Sequence, residues 1–306
     1  VIFTTLFDDA YFCGLLTLMQ SMRENSRLPV EETAFLLVYE DEPTEEQKIF
    51  LRELYPHTSF IPRSDLGDIL AHTKQVEERM YVALKKMLLF GLPVDEKVCF
   101  IDADILCLNS MVEIDRFEGF SAVIEKYPGN MSYDVLGRSM FNTGFFIFNP
   151  SFKLMTDIIG YYQASEFKFN EKGDQTVINY YFYDKCVDIF HAISSEWNVV
   201  KRLCLWDSSF DLTKIKLLHY VGINPWEVHR YGEQFEWRYR VLNRLWWQYF
   251  KKAPGYEYCC QRYQLNEPDW NKLEKLSRYY ELRHSIKHFC KSGRNKLQRL
   301  LGKTAG

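Results

Sequence analysis

Val98-Cys99-Phe100-Ile101-Asp102-Ala103-Asp104-Ile105-Leu106-Cys107-Leu108 is an apolar run with two carboxylates one residue apart inside it. Its β-branched and aromatic residues, entered from the polar Asp95-Glu96-Lys97, predict a buried strand, and a buried strand does not carry two uncompensated anions. A divalent cation is the simplest compensation. If the strand runs on through Asp102 and Asp104, their side chains point to one side and can share an ion. At the carboxyl end of a parallel strand that ion lies in the crevice where open α/β sheets take their ligands. A short Asp-x-Asp also occurs where a strand ends in a turn or a helix is capped, so its surroundings decide between the readings.

Those surroundings alternate between strand and helix patterns. Residues 1–6 predict a strand rather than a secretory leader, and residues 11–25 carry apolar residues at helical spacing, with Gly14 suited to close packing on a sheet. Residues 34–39 and 58–62 predict further strands. Between them a helix over 44–55 opens on Thr44 with Gln47 three residues on, a capping box. A helix over 80–90 leads through Pro93 into the Asp102/Asp104 run. Beyond it come a short strand at 121–124, the apolar run 140–150 interrupted by Asn142-Thr143-Gly144, a helix over 152–162, Gly173-Asp174-Gln175 opening a helix over 176–182, and a strand over 216–220 ending near His219. Strands alternating with helices imply an α/β fold with a mainly parallel sheet covered on both faces.

Composition narrows the function classes. The chain has 306 residues, 47% hydrophobic and 16% aromatic, with no linker-like stretch, so one main α/β domain with an appendage is expected. No run of eighteen apolar residues is present, so no membrane span is expected. The eight cysteines show no paired Cys-x-x-Cys spacing and mostly stand in apolar surroundings, which predicts reduced core residues of a cytoplasmic protein. From Phe235 to Gly306 there are sixteen Lys/Arg against six Asp/Glu, a balance of +10 that leaves −13 for the rest of a chain with net charge −3. An acidic body argues against nucleic acid as the main ligand.

Three separated segments thus supply Asp102 and Asp104, His219, and Asp174-Gln175, each beside a strand end or helix start. Two carboxylates with an imidazole suit a borderline cation such as Mn²⁺ better than Ca²⁺. Taken singly, each has a plainer reading: His219 as a core histidine, Lys86 as a solvated helix-face lysine, Asn142-Thr143-Gly144 as a bulge or strand end, and Gly173-Asp174-Gln175 as a helix cap.

Taken in order, Thr4-Thr5 with Asp9-Ala10-Tyr11, Lys86, Phe100 to Asp104, Phe141 to Gly144, Gly173 to Gln175, and His219 to Gly222 before Pro225-Trp226 resemble glycosyltransferase family 8. That family comprises retaining enzymes of the GT-A fold, among them glycogenin and bacterial lipopolysaccharide galactosyl- and glucosyltransferases. The resemblance implies a catalytic domain over 1–230, a helical C-terminal extension over 231–306, and transfer of a hexose from a UDP-sugar to a glycan or glycolipid acceptor in bacterial surface polysaccharide synthesis. It implies Mn²⁺, or Mg²⁺ in its place, on Asp102, Asp104 and His219. Thr4, Thr5 and Tyr11 are expected around the uridine and Lys86 near the phosphates or sugar. Ala103, Asn142, Thr143, Gly144 and Gly222 should line the donor site, with Glu125 near the hexose. Asp174 is expected as nucleophile or electrostatic stabiliser below the anomeric carbon, with Gln175 orienting the sugar.

Two departures stand out. Thr4-Thr5 is two residues farther from Asp9-Ala10-Tyr11 than in glycogenin, and Asn224 stands where the family carries a lysine before Pro-Trp, in a loop one residue shorter. Lys201, Arg202 or Arg230 would have to replace that lysine. Without a replacement the chain would be slow or would only bind nucleotide-sugar, while a UDP-N-acetylhexosamine donor is the alternative among active enzymes. In the tail, rings and cations alternate from Phe235 to Lys252, and Ser285 to Leu301 is basic and amphipathic. Both segments suit peripheral contact with the inner membrane face, and the first equally suits a helix packed on its own domain.

Overall fold

The run 98–108 is broken at its two aspartates. Val98–Ile101 is a strand of one sheet and Ile105–Cys107 a strand of another, with Asp102-Ala103-Asp104 in the turn between them. The expected single strand is therefore two, with the carboxylates where the chain leaves one sheet for the next. The computed structural model describes residues 1–67, 85–125, 139–164, 173–206, 211–228 and 237–280.

The strands are β1 (Ile2–Phe7), β2 (Ala34–Tyr39), β3 (Thr58–Pro62), β4 (Val98–Ile101), β5 (Ile105–Cys107), β6 (Phe120–Ile124), β7 (Phe141–Phe148), β8 (Phe190–Ile193), β9 (Val199–Val200) and β10 (Leu217–His219). A seven-stranded sheet runs β3-β2-β1-β4-β7-β6-β8, and a three-stranded sheet runs β5-β10-β9. Within the large sheet β1, β2, β3 and β4 are parallel, β7 is antiparallel to both its neighbours, and β8 is parallel to β6. The described helices are α1 (Phe12–Asn25), α2 (Glu45–Leu54), α3 (Phe152–Ala164), α4 (Gly173–Lys185), α5 (Leu203–Trp206), α6 (Arg240–Phe250) and α7 (Tyr256–Arg262), and residues 270–280 are helical as well.

Two apolar layers cover the large sheet. One holds α1, parts of α2, and Leu242, Trp246, Trp247 and Phe250 of α6. The other holds Met87 to Phe90, Met155 and Ile158 of α3, and Val177 to Phe182 of α4. Much of the aromatic content is spent in this second layer, where Phe90, Phe100, Phe120, Phe146 and Phe182 meet ring to ring. Helix α1 is buried on all sides from Phe12 to Met22, and its polar Thr17 and Ser21 donate back to the Cys13 and Leu18 carbonyls. The helix expected over 80–90 is, from Lys85, a 3-10 helix (Lys85–Gly91), and 80–84 lie outside the described residues. Its unbroken burial at Met87, Leu88, Leu89 and Phe90 suits a tightly wound wedge better than an amphipathic α-helix.

The capping box of α2 forms as expected, with the Gln47 N–H donating to Thr44 Oγ1 at 3.2 Å and the Thr44 N–H to Gln47 Oε1 at 2.7 Å. Thr44→Ala is expected to lower unfolding free energy by about 1 kcal/mol in urea titrations. No change would mean that Gln47 alone holds the helix start.

The aromatic stretch after residue 235 turns inward. Trp246, Trp247 and Phe250 are at most 1% exposed, Trp247 Nε1 donates to the Pro225 carbonyl at 3.2 Å, and Trp246 packs on Trp226 with centroids 5.2 Å apart. The aromatic face of α6 thus belongs to the same core as β1 and α1 and is not presented to a membrane. Ser285 to Leu301 lie outside the described residues. Among the described residues no helix is long and apolar enough to cross a membrane, and the seven described cysteines are free thiols.

Candidate active site

The two sheets deliver the triad. Antiparallel pairing of β5 and β10 sets His219 opposite Ile105, and the Tyr220 N–H donates to the Asp104 carbonyl at 2.9 Å, so the imidazole is brought beside the turn. On the other side the Asp102 N–H donates to the Gly144 carbonyl at 2.8 Å, continuing the β4–β7 ladder by one residue. Register alone therefore joins segments more than a hundred residues apart.

His219 Nε2 lies 3.1 Å from Asp104 Oδ1 and 3.9 Å from Asp102 Oδ2, and one ligand atom from each residue falls within 4.8 Å of the others. Burial, reinforced by Asp104 and Asp174, pushes the Asp102 carboxyl above its ordinary range despite Lys86 and His219. Burial also opposes ionisation of Asp104, but His219 and Lys86 outweigh it and hold that carboxyl low. For His219, burial opposes the charged ring and the two acids outweigh it, so its pKa is raised. The acids demand positive charge at Nε2, and a proton and a divalent cation are alternatives for that position. Two carboxylates and an imidazole converging this closely fit a divalent metal ion.

The imidazole is oriented by a chain of hydrogen bonds that begins at an unambiguous donor. The Gly144 N–H donates to Asn142 Oδ1 at 2.9 Å, so the Asn198 group facing the same oxygen at 2.8 Å is its amide nitrogen. Asn198 Oδ1 then faces His219 Nδ1 at 3.1 Å and accepts its proton, leaving Nε2 to face the acids. Gly144 is required for a second reason: a Cβ there would lie 2.2 Å from His219 Cε1. Likewise a Cβ on Gly14 would lie 2.6 Å from the Ala103 carbonyl, so α1 packs against the Asp-x-Asp turn itself. If the triad takes a divalent cation, Asn198→Leu is expected to weaken its binding about 10–100-fold by calorimetry. An unchanged affinity would remove Asn198 from the metal site.

Lys86 ties the triad to the second acid. Its Nζ lies 3.0 Å from Asp102 Oδ1, 3.2 Å from Asp174 Oδ2 and 3.2 Å from the Thr143 carbonyl, with the Phe100 ring beneath. Burial opposes its charge, but Asp102 and Asp174 hold the ammonium well above its usual pKa. Asp174 also accepts from Thr143 Oγ1 at 2.8 Å, at the start of α4 where Gly173 has φ +54°. Gln175 is fixed differently: its Nε2 donates to Glu125 Oε2 at 2.8 Å and its Oε1 accepts from Asn142 Nδ2 at 3.3 Å. The β6–β7 register shifts where Ala122 pairs Phe146 but Val123 pairs Asn142, so Asn142-Thr143-Gly144 is both a bulge and a presenter of side chains.

A cleft of about 250 Å³ unites Tyr11, Lys86, Asp102, Ala103, Asp104 and Asp174, together with Leu6, Phe7, Asp8 and Glu40. Thr4 and Thr5 do not line it. Their hydroxyls donate to the carbonyls of Leu36 (2.6 Å) and Ile101 (2.9 Å), and Leu6 to Asp8, two and three residues on, form the wall instead. Gly222 lies in the loop after β10 with φ +104°, a conformation that favours glycine. In that loop Asn224 is buried, and Lys201 Nζ donates to the neighbouring Ile223 carbonyl at 2.5 Å. Arg202 reaches Glu125 at 3.8 Å, and Arg230 lies outside the described residues. Asn198 carried no local signal in the sequence, and neither did Asn179, whose amide bridges the Phe141 backbone in both directions at 2.8 Å and fixes α4 on β7.

The family model described as Glycosyl transferase family 8 matches residues 2–229. Glycogenin-1 of Mus musculus is 24% identical over 245 residues, which cover 77% of this chain and 65% of that protein. UDP-glucuronate:xylan alpha-glucuronosyltransferase 2 of Arabidopsis thaliana is 25% identical over 252 residues, 78% of this chain and 39% of that protein. The chain thus matches only part of the length of each. Among solved structures, the galactosyltransferase LgtC in complex with donor and acceptor sugar analogues superposes with a TM-score of 0.55 at 14% identity, over 89% of this chain and 100% of that one. That likeness is one of fold, a central sheet between helical layers.

Proposed function

The chain belongs to glycosyl transferase family 8, and on that premise we propose that it is a metal-dependent retaining glycosyltransferase that moves a hexose from a UDP-sugar to a glycan acceptor. The observation that carries the reading is the convergence of Asp102, Asp104 and His219, the two acids also lining a cleft shared with Asp174. Asp102, Asp104 and His219 would hold Mn²⁺, the donor set favouring a borderline cation. When bound, the cation supplies Lewis-acid stabilisation to the departing diphosphate.

The remaining work falls to side chains. In the transfer the bond between the anomeric carbon and the phosphate oxygen breaks, UDP keeps the electron pair, and the acceptor hydroxyl bonds to carbon and gives up its proton to the departing diphosphate. Tyr11 offers an exposed ring to the base. Lys86, already between two acids, offers a fixed cation to the phosphates. Asp174, held by Lys86 and Thr143 in a defined rotamer, faces the cleft where positive charge builds on the sugar. Gln175, pinned by Glu125 and Asn142, presents a fixed amide rather than a nucleophile. Of the bases that could replace the expected lysine, Lys201 is the one bonded into the loop of Asn224, with its ammonium buried between the Ile223 carbonyl and the Tyr239 ring.

The test is UDP release from UDP-glucose, UDP-galactose, UDP-glucuronate and UDP-N-acetylhexosamines with Mn²⁺ and then with EDTA. Release from at least one donor that stops with EDTA supports the reading. No release and no thermal shift with any of them overturns it.

A further inference from the structure

The turn Asp8-Asp9-Ala10-Tyr11 carries the aromatic wall of the cleft, yet it is the least buried part of that wall. Tyr11 is 40% exposed and meets Trp226 edge-on at 5.8 Å, while everything in α1 from Phe12 to Met22 is buried. The turn is a single 3-10 turn capped by Asp8, whose Oδ1 accepts the Tyr11 N–H at 3.0 Å. It also gathers acids, since Asp8 has Asp41 as a charged neighbour and the Asp9 N–H donates to Asp41 Oδ2 at 3.3 Å. Two carboxylates of the turn thus meet Asp41 at one corner, where like charges repel, while Tyr11 itself has Asn224 and Trp226 as partners.

This corner is held by the C-terminal segment, beyond the part of the chain the family model matches. Asp9 Oδ1 accepts from Tyr263 Oη at 2.7 Å, from Arg262 Nη2 at 3.2 Å and from Gln47 Nε2 at 3.2 Å, and Gln47 Nε2 also donates to Tyr263 Oη at 2.9 Å. Behind these groups α7 is anchored in the core by Cys259, and Leu265 follows it there. A Cβ on Gly255, which precedes α7, would strike the Phe50 ring at 2.5 Å, so the segment sits tightly on α2. The clamp is polar and lies at the rim, whereas the packing that holds α7 is apolar and lies beneath it.

We infer that Arg262 and Tyr263 are positioning residues for the nucleotide: through Asp9 they fix the turn that presents Tyr11, and the C-terminal segment thereby completes the donor site. The inference rests on the proposed use of a UDP-sugar. Neither residue lines the cleft, so the effect is on where Tyr11 sits and not on the bond-breaking step.

The test uses the full chain with Tyr263→Phe, Arg262→Gln and the pair, plus Arg262→Lys as the conservative variant. UDP affinity with Mn²⁺ is measured by calorimetry, donor KM and kcat by UDP release, and amide exchange over residues 8–13 by mass spectrometry. In the double variant UDP binding should weaken about tenfold, the loss expected for hydrogen bonds to a charged group, with donor KM rising in parallel and kcat within about twofold. Exchange over 8–13 should quicken while that of α6 does not, and Arg262→Lys should recover part of the affinity. Unchanged UDP affinity overturns the inference, as does a fall in kcat without a rise in KM. Should the wild-type chain bind no UDP, the donor reading fails, and unchanged exchange over 8–13 then overturns the clamp on its own.

Discussion

Asp104→Asn should abolish metal-dependent UDP release, with a loss of at least about a thousandfold, the several kcal/mol that a cation contributes at a developing negative charge. Asparagine keeps the shape of the side chain but has one acceptor oxygen and no charge. Its amide nitrogen would also compete with the cation for the space beside His219 Nε2, now 3.1 Å from Asp104 Oδ1. The backbone role of the residue survives, because it is the Asp104 carbonyl that accepts from Tyr220. His219 and Lys86 hold the Asp104 carboxyl low, so its charge is net stabilising without metal, and the melting temperature in EDTA should fall modestly even though repulsion with Asp102 is relieved. Metal-dependent release near the wild-type rate would show that Asp104 is not a ligand.

Asp174→Asn should lower kcat about 10²–10³-fold, the usual cost of losing one preorganised electrostatic group at a reacting centre. UDP affinity with Mn²⁺ should stay within about threefold by calorimetry, because the lost group acts on the sugar and not on the diphosphate. The amide can still accept from Thr143, so the rotamer is kept while the charge facing the sugar is lost. The variant leaves Lys86 paired with Asp102 alone, at 3.0 Å. A fall in UDP affinity matching the fall in kcat would assign Asp174 to donor binding instead.

Much of this site could be read from residue order because local chemistry wrote it there. The Thr44/Gln47 box, the strands over 34–39 and 58–62, and the apolar run through Asp102 and Asp104 each carry their own signal. What could not be read is what depends on register between distant strands. Asn198 has no motif, and its role follows only from β9 lying beside β10 and from a bulge in β7 that turns Asn142 toward it. The reason for Gly144 differed as well: it leaves room for an imidazole 75 residues on, in addition to any approach to a sugar. The residue order also did not show that the Thr4 and Thr5 hydroxyls donate to the Leu36 and Ile101 carbonyls, because those partners come from β2 and β4. The ring-and-cation pattern of α6 was ambiguous in principle, because a helix facing lipid and a helix facing its own core share one periodicity. Trp226, Pro225 and Asn25 settle it by supplying partners for Trp246, Trp247 and Tyr249.

In the proposed transfer one cation joins the Asp-x-Asp turn and His219 to a diphosphate. A crystal grown with Mn²⁺ and UDP, with anomalous data collected at the manganese edge, tests this directly. A single peak within about 2.0–2.5 Å of Asp102, Asp104, His219 Nε2 and phosphate oxygens is the predicted result. A peak that leaves out His219, or UDP bound with no metal at the turn, would contradict it.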